Sequence, residues 1–150
     1  MADADNPVTA TPEVVTVGGA MVDRYYTLSN LPEPDGGAYV RDAWEGVGGV
    51  AANVASAAAC LGRDAGILTR VGDDEHGTVV ERDLIDRDID ARRVQRGPEP
   101  STYSLVFRAD GGRMVVTGGD SCAALELRDD DRLYLRGADL VAATAYVPER

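Results

Sequence analysis

Two places in the chain combine residue types that can do chemistry with a setting that would present them to a ligand. The first is the turn at Gly48 and Gly49, directly ahead of an alanine-rich stretch of helix formers. Glycines at such a turn let the backbone approach a ligand closely or take positive φ, and the N–H groups of a helix start can hold an anion or a polar group. A plain tight loop uses the same residues, so the turn by itself leaves both readings open. The second is Asp23, placed where an apolar run that begins at Val14 gives out. Open α/β sheets bind ligands beyond the C-terminal ends of their strands, which makes an aspartate there a candidate contact, with a solvated turn residue as the alternative.

The elements that must position these residues follow from the apolar pattern. Val14, Val15 and Val17 predict a central parallel strand covered on both faces, running on to Met21-Val22-Asp23. Ala51, Ala52, Ala55, Ala57, Ala58 and Ala59 favour a helix slim enough to lie close against a sheet, closed by Leu61 and a C′ glycine at Gly62. Residues 65–71 read as a buried strand. Segments 25–28 and 38–44 read as extended chain around the turn Pro32-Glu33-Pro34-Asp35-Gly36-Gly37, with Tyr25, Tyr26 and Trp44 as apolar anchors for a ligand, a partner or the core. Val79, Val80, Leu84 and Ile85 fall near helical spacing. From Val94 a run of extended segments is expected, including a hairpin of 102–108 and 114–117 about Asp110-Gly111-Gly112, in which Tyr103, Phe107 and Met114 face a ligand or the core. A short charged helix over 126–136 and a last strand over 140–145 complete the pattern. Residues 1–12, acidic and without periodicity, read as a disordered tail.

Composition narrows the function classes. A hydrophobic content of 44% in 150 residues fits one globular domain with a real core. No apolar run approaches a membrane span, and the polar, acidic start differs from a secretory signal, so a cytoplasmic protein is expected. A net charge of −11 argues against nucleic-acid binding, which needs a basic patch. All 15 basic residues are Arg and aspartate dominates the 26 acids, a pattern similar to proteins of salt-loving archaea, whose charge serves solvation. Cys60 and Cys122 lack metal-ligand spacing and read as small buried hydrophobes. His76, the one histidine, reads as a surface loop residue, so neither a zinc site nor a Ser-His-Asp triad has its materials.

Spacing over a longer stretch is more specific. Gly48-Gly49, Ala51, Asn53, Ala55, Gly62 and Gly72 together resemble the N-terminal signature of the ribokinase family of carbohydrate kinases, also called the PfkB family. Upstream, EVVTVGGAMVDRYYTLSNLPEPDGGAYV is similar to that family's opening, and downstream VGDDEHGTVVERDLIDRDID is similar to its loop and second helix. The resemblance implies an α/β, ribokinase-like fold: a Rossmann-like three-layer parallel sheet with a small β lid, built here by segments of about 24–45 and 94–117. Family members are about twice this long, a size usual for a large α/β domain. Their catalytic Gly-Ala-Gly-Asp segment lies in the C-terminal half, so residues 13–150 are expected to be the N-terminal part, with that half missing.

By the same resemblance, Asp23, Gly48, Gly49 and Asn53 would hold the hydroxyls of a small-molecule sugar, and no catalytic or metal-binding residue is expected here. ATP and Mg²⁺ would serve the full-length enzyme, which moves a phosphoryl group from ATP to a sugar hydroxyl, and neither is expected to bind this chain alone. A homodimer through the lid strands, or a separately encoded C-terminal half, is the implied protein partner. The alternative is a noncatalytic sugar-binding or dimerisation module derived from such a kinase. Two positions depart from ribokinases proper: Val50 replaces a lysine, and Tyr146 stands where a substrate-contacting glutamate is found. Both put ribose itself in doubt as the substrate.

Two competing motifs fail on context. Gly46-Val47-Gly48-Gly49-Val50-Ala51 satisfies G-x-G-x-x-A, yet a dinucleotide fingerprint should follow the first strand directly, and here a turn-rich excursion intervenes. Thr117-Gly118-Gly119-Asp120 is superficially like the catalytic segment of the family, but that segment must open a helix, whereas this one is expected to close a hairpin and leaves Asp120 a turn residue.

Overall fold

In chain order the elements are β1 (Val14–Val17), β2 (Met21–Leu28), β3 (Val40–Gly48), α1 (Val50–Cys60), β4 (Ala65–Gly72), α2 (Glu75–Asp86), β5 (Ile89–Gly97), β6 (Tyr103–Ala109), β7 (Gly112–Gly118), a 3₁₀ turn (Cys122–Ala124), α3 (Asp129–Arg136) and β8 (Leu140–Ala143). They come from a computed structural model that describes residues 10–144. Two four-stranded sheets result. The first runs β5-β4-β1-β8 with every pair parallel, and the second runs β3-β2-β6-β7 with β2 and β6 parallel and the outer pairs antiparallel.

The first sheet holds the core. Consecutive residues Ile67 and Leu68 on β4 are both fully buried, which requires cover on both faces. On one face lie Ala51, Ala52 and Ala55 of α1 with Val80 and Leu84 of α2, packed against Ile67, Val71 and Ile89. Ala20, Val22 and Val47 join this cluster, so the base of the second sheet shares the core of the first. On the opposite face Pro12 and Tyr134 of α3 lie over Gly66 of β4. A Cβ at Gly66 would strike the Tyr134 hydroxyl, and that hydroxyl donates to Asp90 Oδ2 at 2.8 Å. Burying side chains such as Ile67 and Leu84 stabilises the fold by about 2–3 kcal/mol each.

Several expected boundaries shift for identifiable reasons. The first strand does not run on to Asp23: β1 ends at Val17, Gly18 turns the chain at φ +139°, and Met21-Val22-Asp23 open β2 in the second sheet. Val94 does not start the second sheet either, because β5 follows the α2 crossover and pairs in parallel with β4. Of the segments expected to form a lid, 24–45 lies in β2 and β3, whereas 94–117 divides between β5 in the first sheet and β6 and β7 in the second. The charged helix begins at Asp129, since the Glu126 carbonyl is taken by Gln95 Nε2 at 2.7 Å. Pro12 is fully buried, so packed chain starts inside the stretch expected as a tail, while residues 1–9 and the end of the expected last strand lie outside the described residues. Cys60 is exposed and Cys122 half-buried, not the buried pair expected from their type.

Candidate functional site

Parallel pairing of β2 with β6 sets Asp23 opposite Ser104 and thus on the same face. The Ser104 hydroxyl donates to Asp23 Oδ1 at 2.5 Å, and the Tyr25 hydroxyl donates to Oδ2 at 3.3 Å. Burial, then the charge of Asp23 and this bond, raise the Tyr25 pKa against the opposing pull of Arg108 and Arg113, so the phenol keeps its proton as a donor. On the other side β3 returns antiparallel and ends at Gly48. A Cβ there would collide with the Asp23 carboxylate, so glycine leaves the space in which that carboxylate lies.

Gly49 then turns the chain at φ +96° and serves as the N-cap of α1, with its would-be Cβ directed at the Gly19 carbonyl. No side chain caps this helix start, and its first turn carries no acid. Asn53, one turn in, is exposed on the same side. Asp23, Gly49 and Asn53 border a cavity of about 480 Å³, which Thr102, Ser104, Arg108, Arg113 and Asp120 also line. It opens beyond the C-terminal ends of β1 and β8, where Gly19 and Thr144 form part of its wall. That is where parallel sheets bind ligands.

Three of the four residues singled out from the sequence therefore meet at one cavity, and the fourth, Gly48, is buried behind Asp23. Val50 also lines it. Tyr146 lies outside the described residues. Tyr103 and Phe107 do not face the cavity: alternation puts Ser104, Val106 and Arg108 there instead, and Phe107 stacks on Tyr26 across the other face. Met114, opposite Phe107 in register, lies on that other face too. Ser104, Arg108 and Arg113 carried no motif, and only the register of β2, β6 and β7 could have found them.

Polar contacts fix the junction of the two sheets. His76 is not a loop residue but sits in the first turn of α2, where Nε2 is 3.0 Å from an Arg24 guanidinium nitrogen and the ring tilts toward Tyr103. Asp74 caps α2 by accepting from Gly77 N at 2.9 Å, and it also takes Ser101 N at 2.8 Å and Ser101 Oγ at 2.6 Å. Burial opposes its charge, but these three bonds and nearby His76 outweigh it and lower the Asp74 pKa. Thr102 and Ser121 tie the 3₁₀ turn beneath the cavity, through Thr102 N to Ser121 Oγ at 2.9 Å and Cys122 N to Thr102 Oγ1 at 3.0 Å. Thr117 and Gly118 end the returning strand of the hairpin, whose tip lies at Asp110 and Gly111, and Asp120 follows in the turn that leads to the 3₁₀ segment, as expected for it. Among the described residues no three His, Cys, Asp or Glu side chains converge to hold a metal ion, and no helix is long and apolar enough to cross a membrane.

A parallel sheet between helices, a small second sheet at its C-terminal edge and a cavity where they meet define the ribokinase-like fold. The chain belongs to the pfkB family of carbohydrate kinases, whose model matches residues 11–150. It is 36% identical over 140 residues to an ATP-dependent ribose-1-phosphate kinase of Halopiger xanaduensis, covering 91% of this chain and 47% of that protein. A ribokinase of Arabidopsis thaliana is 27% identical over 146 residues, covering 92% and 38%. The solved structure of Arabidopsis thaliana ribokinase complexed with ribose and ATP is similar with a TM-score of 0.77 and 26% identity, covering 89% of this chain and 45% of that one. The chain thus spans less than half the length of these relatives.

Proposed function

We propose that this chain is the sugar-binding portion of an ATP-dependent carbohydrate kinase that transfers a phosphoryl group to a sugar hydroxyl. The observation that carries the reading is the convergence of Asp23 from β2 with Gly49 and Asn53 from the start of α1 on one cavity. A carboxylate has about four acceptor sites. Asp23 spends two of them on Ser104 and Tyr25, which hold it in place, and the others remain for sugar hydroxyls. Gly49 brings the uncapped start of α1 to the same space, and Asn53 offers both a donor and an acceptor. The names of the relatives favour a pentose or a pentose phosphate as acceptor.

ATP and Mg²⁺ belong to the full-length enzyme in this reading. Phosphoryl transfer also needs a base for the hydroxyl and donors for the phosphate oxygens, each worth several kcal/mol of transition-state stabilisation, about 3 for a single oxyanion donor. This chain alone is therefore expected to give no turnover with ATP, Mg²⁺ and either ribose or ribose 1-phosphate in molar salt. Turnover abolished by Asp120→Asn would make that residue the base, and turnover surviving it would place other catalytic groups in this chain.

The second reading, a noncatalytic sugar-binding or dimerisation module, is favoured by the apolar side chains that the second sheet exposes, Trp44, Val115 and Val116 among them. Sedimentation in high salt separates the two: a concentration-independent monomer removes the dimerisation module.

A further inference from the structure

The outer end of the cleft carries two arginines whose arrangement the proposed sugar contacts do not use. Arg108 on β6 and Arg113 on β7 are paired directly across the hairpin and both line the cavity. Like charges directly opposite on neighbouring strands repel, so the pair is costly unless an anion lies between or before it. Among the described residues, no ion pair includes either one. Asp42, at the same level two strands away on β3, makes none with them either. In a chain of net charge −11, two exposed positive side chains paired across the hairpin at the mouth of the cleft are what would draw an anionic ligand in.

Their placement relative to Asp23 sets the size of that ligand. Thr27, in register with Arg108, lies four residues along β2 from Asp23, roughly 13 Å at the rise of a strand. The space between is bridged by Tyr25, whose hydroxyl meets Asp23 and whose ring lies 5.0 Å from the Arg108 guanidinium carbon. A cation stacked on a ring keeps its N–H fork free at the edges for an oxyanion.

We propose that Arg108 and Arg113 form a phosphate subsite, so that the acceptor is a sugar phosphate, with its phosphomonoester at the outer end of the cleft and its hydroxyls at Asp23. This rests on the sugar-cleft reading above. Two guanidinium charges match a phosphomonoester, which carries about −1.5 to −2 at neutral pH, better than they match a carboxylate. The arginine fork donates paired hydrogen bonds to phosphate oxygens.

Isothermal titration of the 150-residue chain with ribose, ribose 1-phosphate and ribonate at one salt concentration tests it. Charge-assisted hydrogen bonds of this kind predict at least about tenfold tighter binding of ribose 1-phosphate than of ribose. Arg108→Gln/Arg113→Gln should erase that preference, bringing ribose 1-phosphate to the affinity that the same variant shows for ribose. Equal affinity for ribose and ribose 1-phosphate, a preference that survives the double substitution, or ribonate binding as tightly as the phosphate would each overturn the proposal. Asp23→Asn separates it from the reading beneath it. Ribose binding that needs Asp23 without a phosphate preference sinks the subsite alone. A phosphate preference that needs the arginines but ignores Asp23 leaves the subsite and removes the sugar cleft. No binding by a chain whose circular dichroism shows it folded overturns both.

Discussion

The two sheets have four strands each and yet are buried very differently. In the first, β4 has side chains covered on both faces, and its residues Ile67, Leu68 and Val71 are shut away from water. In the second, β7 is exposed along nearly its whole length, and β3 is exposed from Val40 to Glu45. The parallel sheet therefore supplies the stability and the second sheet supplies an accessible face of mixed polarity, with Asp23, Ser104, Arg108 and Arg113 beside Val106 and Val115. Only where the second sheet joins the first, at Ala20, Val22 and Val47, does it share the core, and Asp23 lies one residue beyond that join. β8 breaks the pattern within the first sheet. It pairs with β1 on one side, and Leu140 and Val141 remain exposed.

The largest effect that would sharpen the contrast is Ile67→Ala, which removes a fully buried side chain from the parallel sheet. A loss of about 2–5 kcal/mol in unfolding free energy is expected by denaturant titration. A loss below about 1 kcal/mol would mean that the first sheet is not the stabilising one, since full burial normally costs more to undo. Next is Asp74→Ala, which removes the α2 cap and the tie to Ser101. Loss of an N-cap costs about 0.5–2 kcal/mol.

Acid should act through the same part of the molecule. Asp74 and Asp90 both have lowered pKa values; for Asp90, burial is outweighed by hydrogen bonds from Arg92 and Tyr134. A depressed carboxyl contributes stability above its unfolded pKa, near 4, and that contribution is lost as pH falls through the folded value. The urea midpoint should hold from pH 7 to about 4 and fall below it, and the fall should be shallower in Asp74→Asn/Asp90→Asn. A midpoint that dropped already between pH 7 and 5 would point to other groups. The smallest effect is Val116→Thr on the exposed face of β7, expected within about 0.5 kcal/mol of the parent. A larger loss would show that this strand is covered in solution.

Much of the fold was legible because its elements carry strong local signals. The alanine helix, the buried strand read at 65–71 and the Asp110-Gly111 hairpin are each readable from period and turn chemistry. Strand membership was not. Val14 to Asp23 reads as one apolar run, and only the Gly18 turn, whose positive φ is a property of the folded chain, divides it between two sheets. Val94 likewise could join either sheet until the parallel crossover fixed its partner. At the site, Gly49 and Asn53 were found through a spaced motif, whereas Ser104 and Arg108 depend on long-range register, in which a shift of one residue exchanges Phe107 for Arg108 at the cavity. His76 reads as a loop residue in the sequence because its contacts with Arg24 and Tyr103 join elements distant along the chain.

The most direct test of the account is a backbone-amide NMR titration of the isotopically labelled chain with ribose 1-phosphate. Saturable shifts should concentrate at Asp23, Gly49, Asn53 and Ser104 and extend to Arg108 and Arg113, while the amides of Ile67, Leu68 and Leu84 stay in place. Saturable shifts confined to another surface, or none from a chain with a dispersed, folded spectrum, would contradict the claim that this cavity is a sugar site.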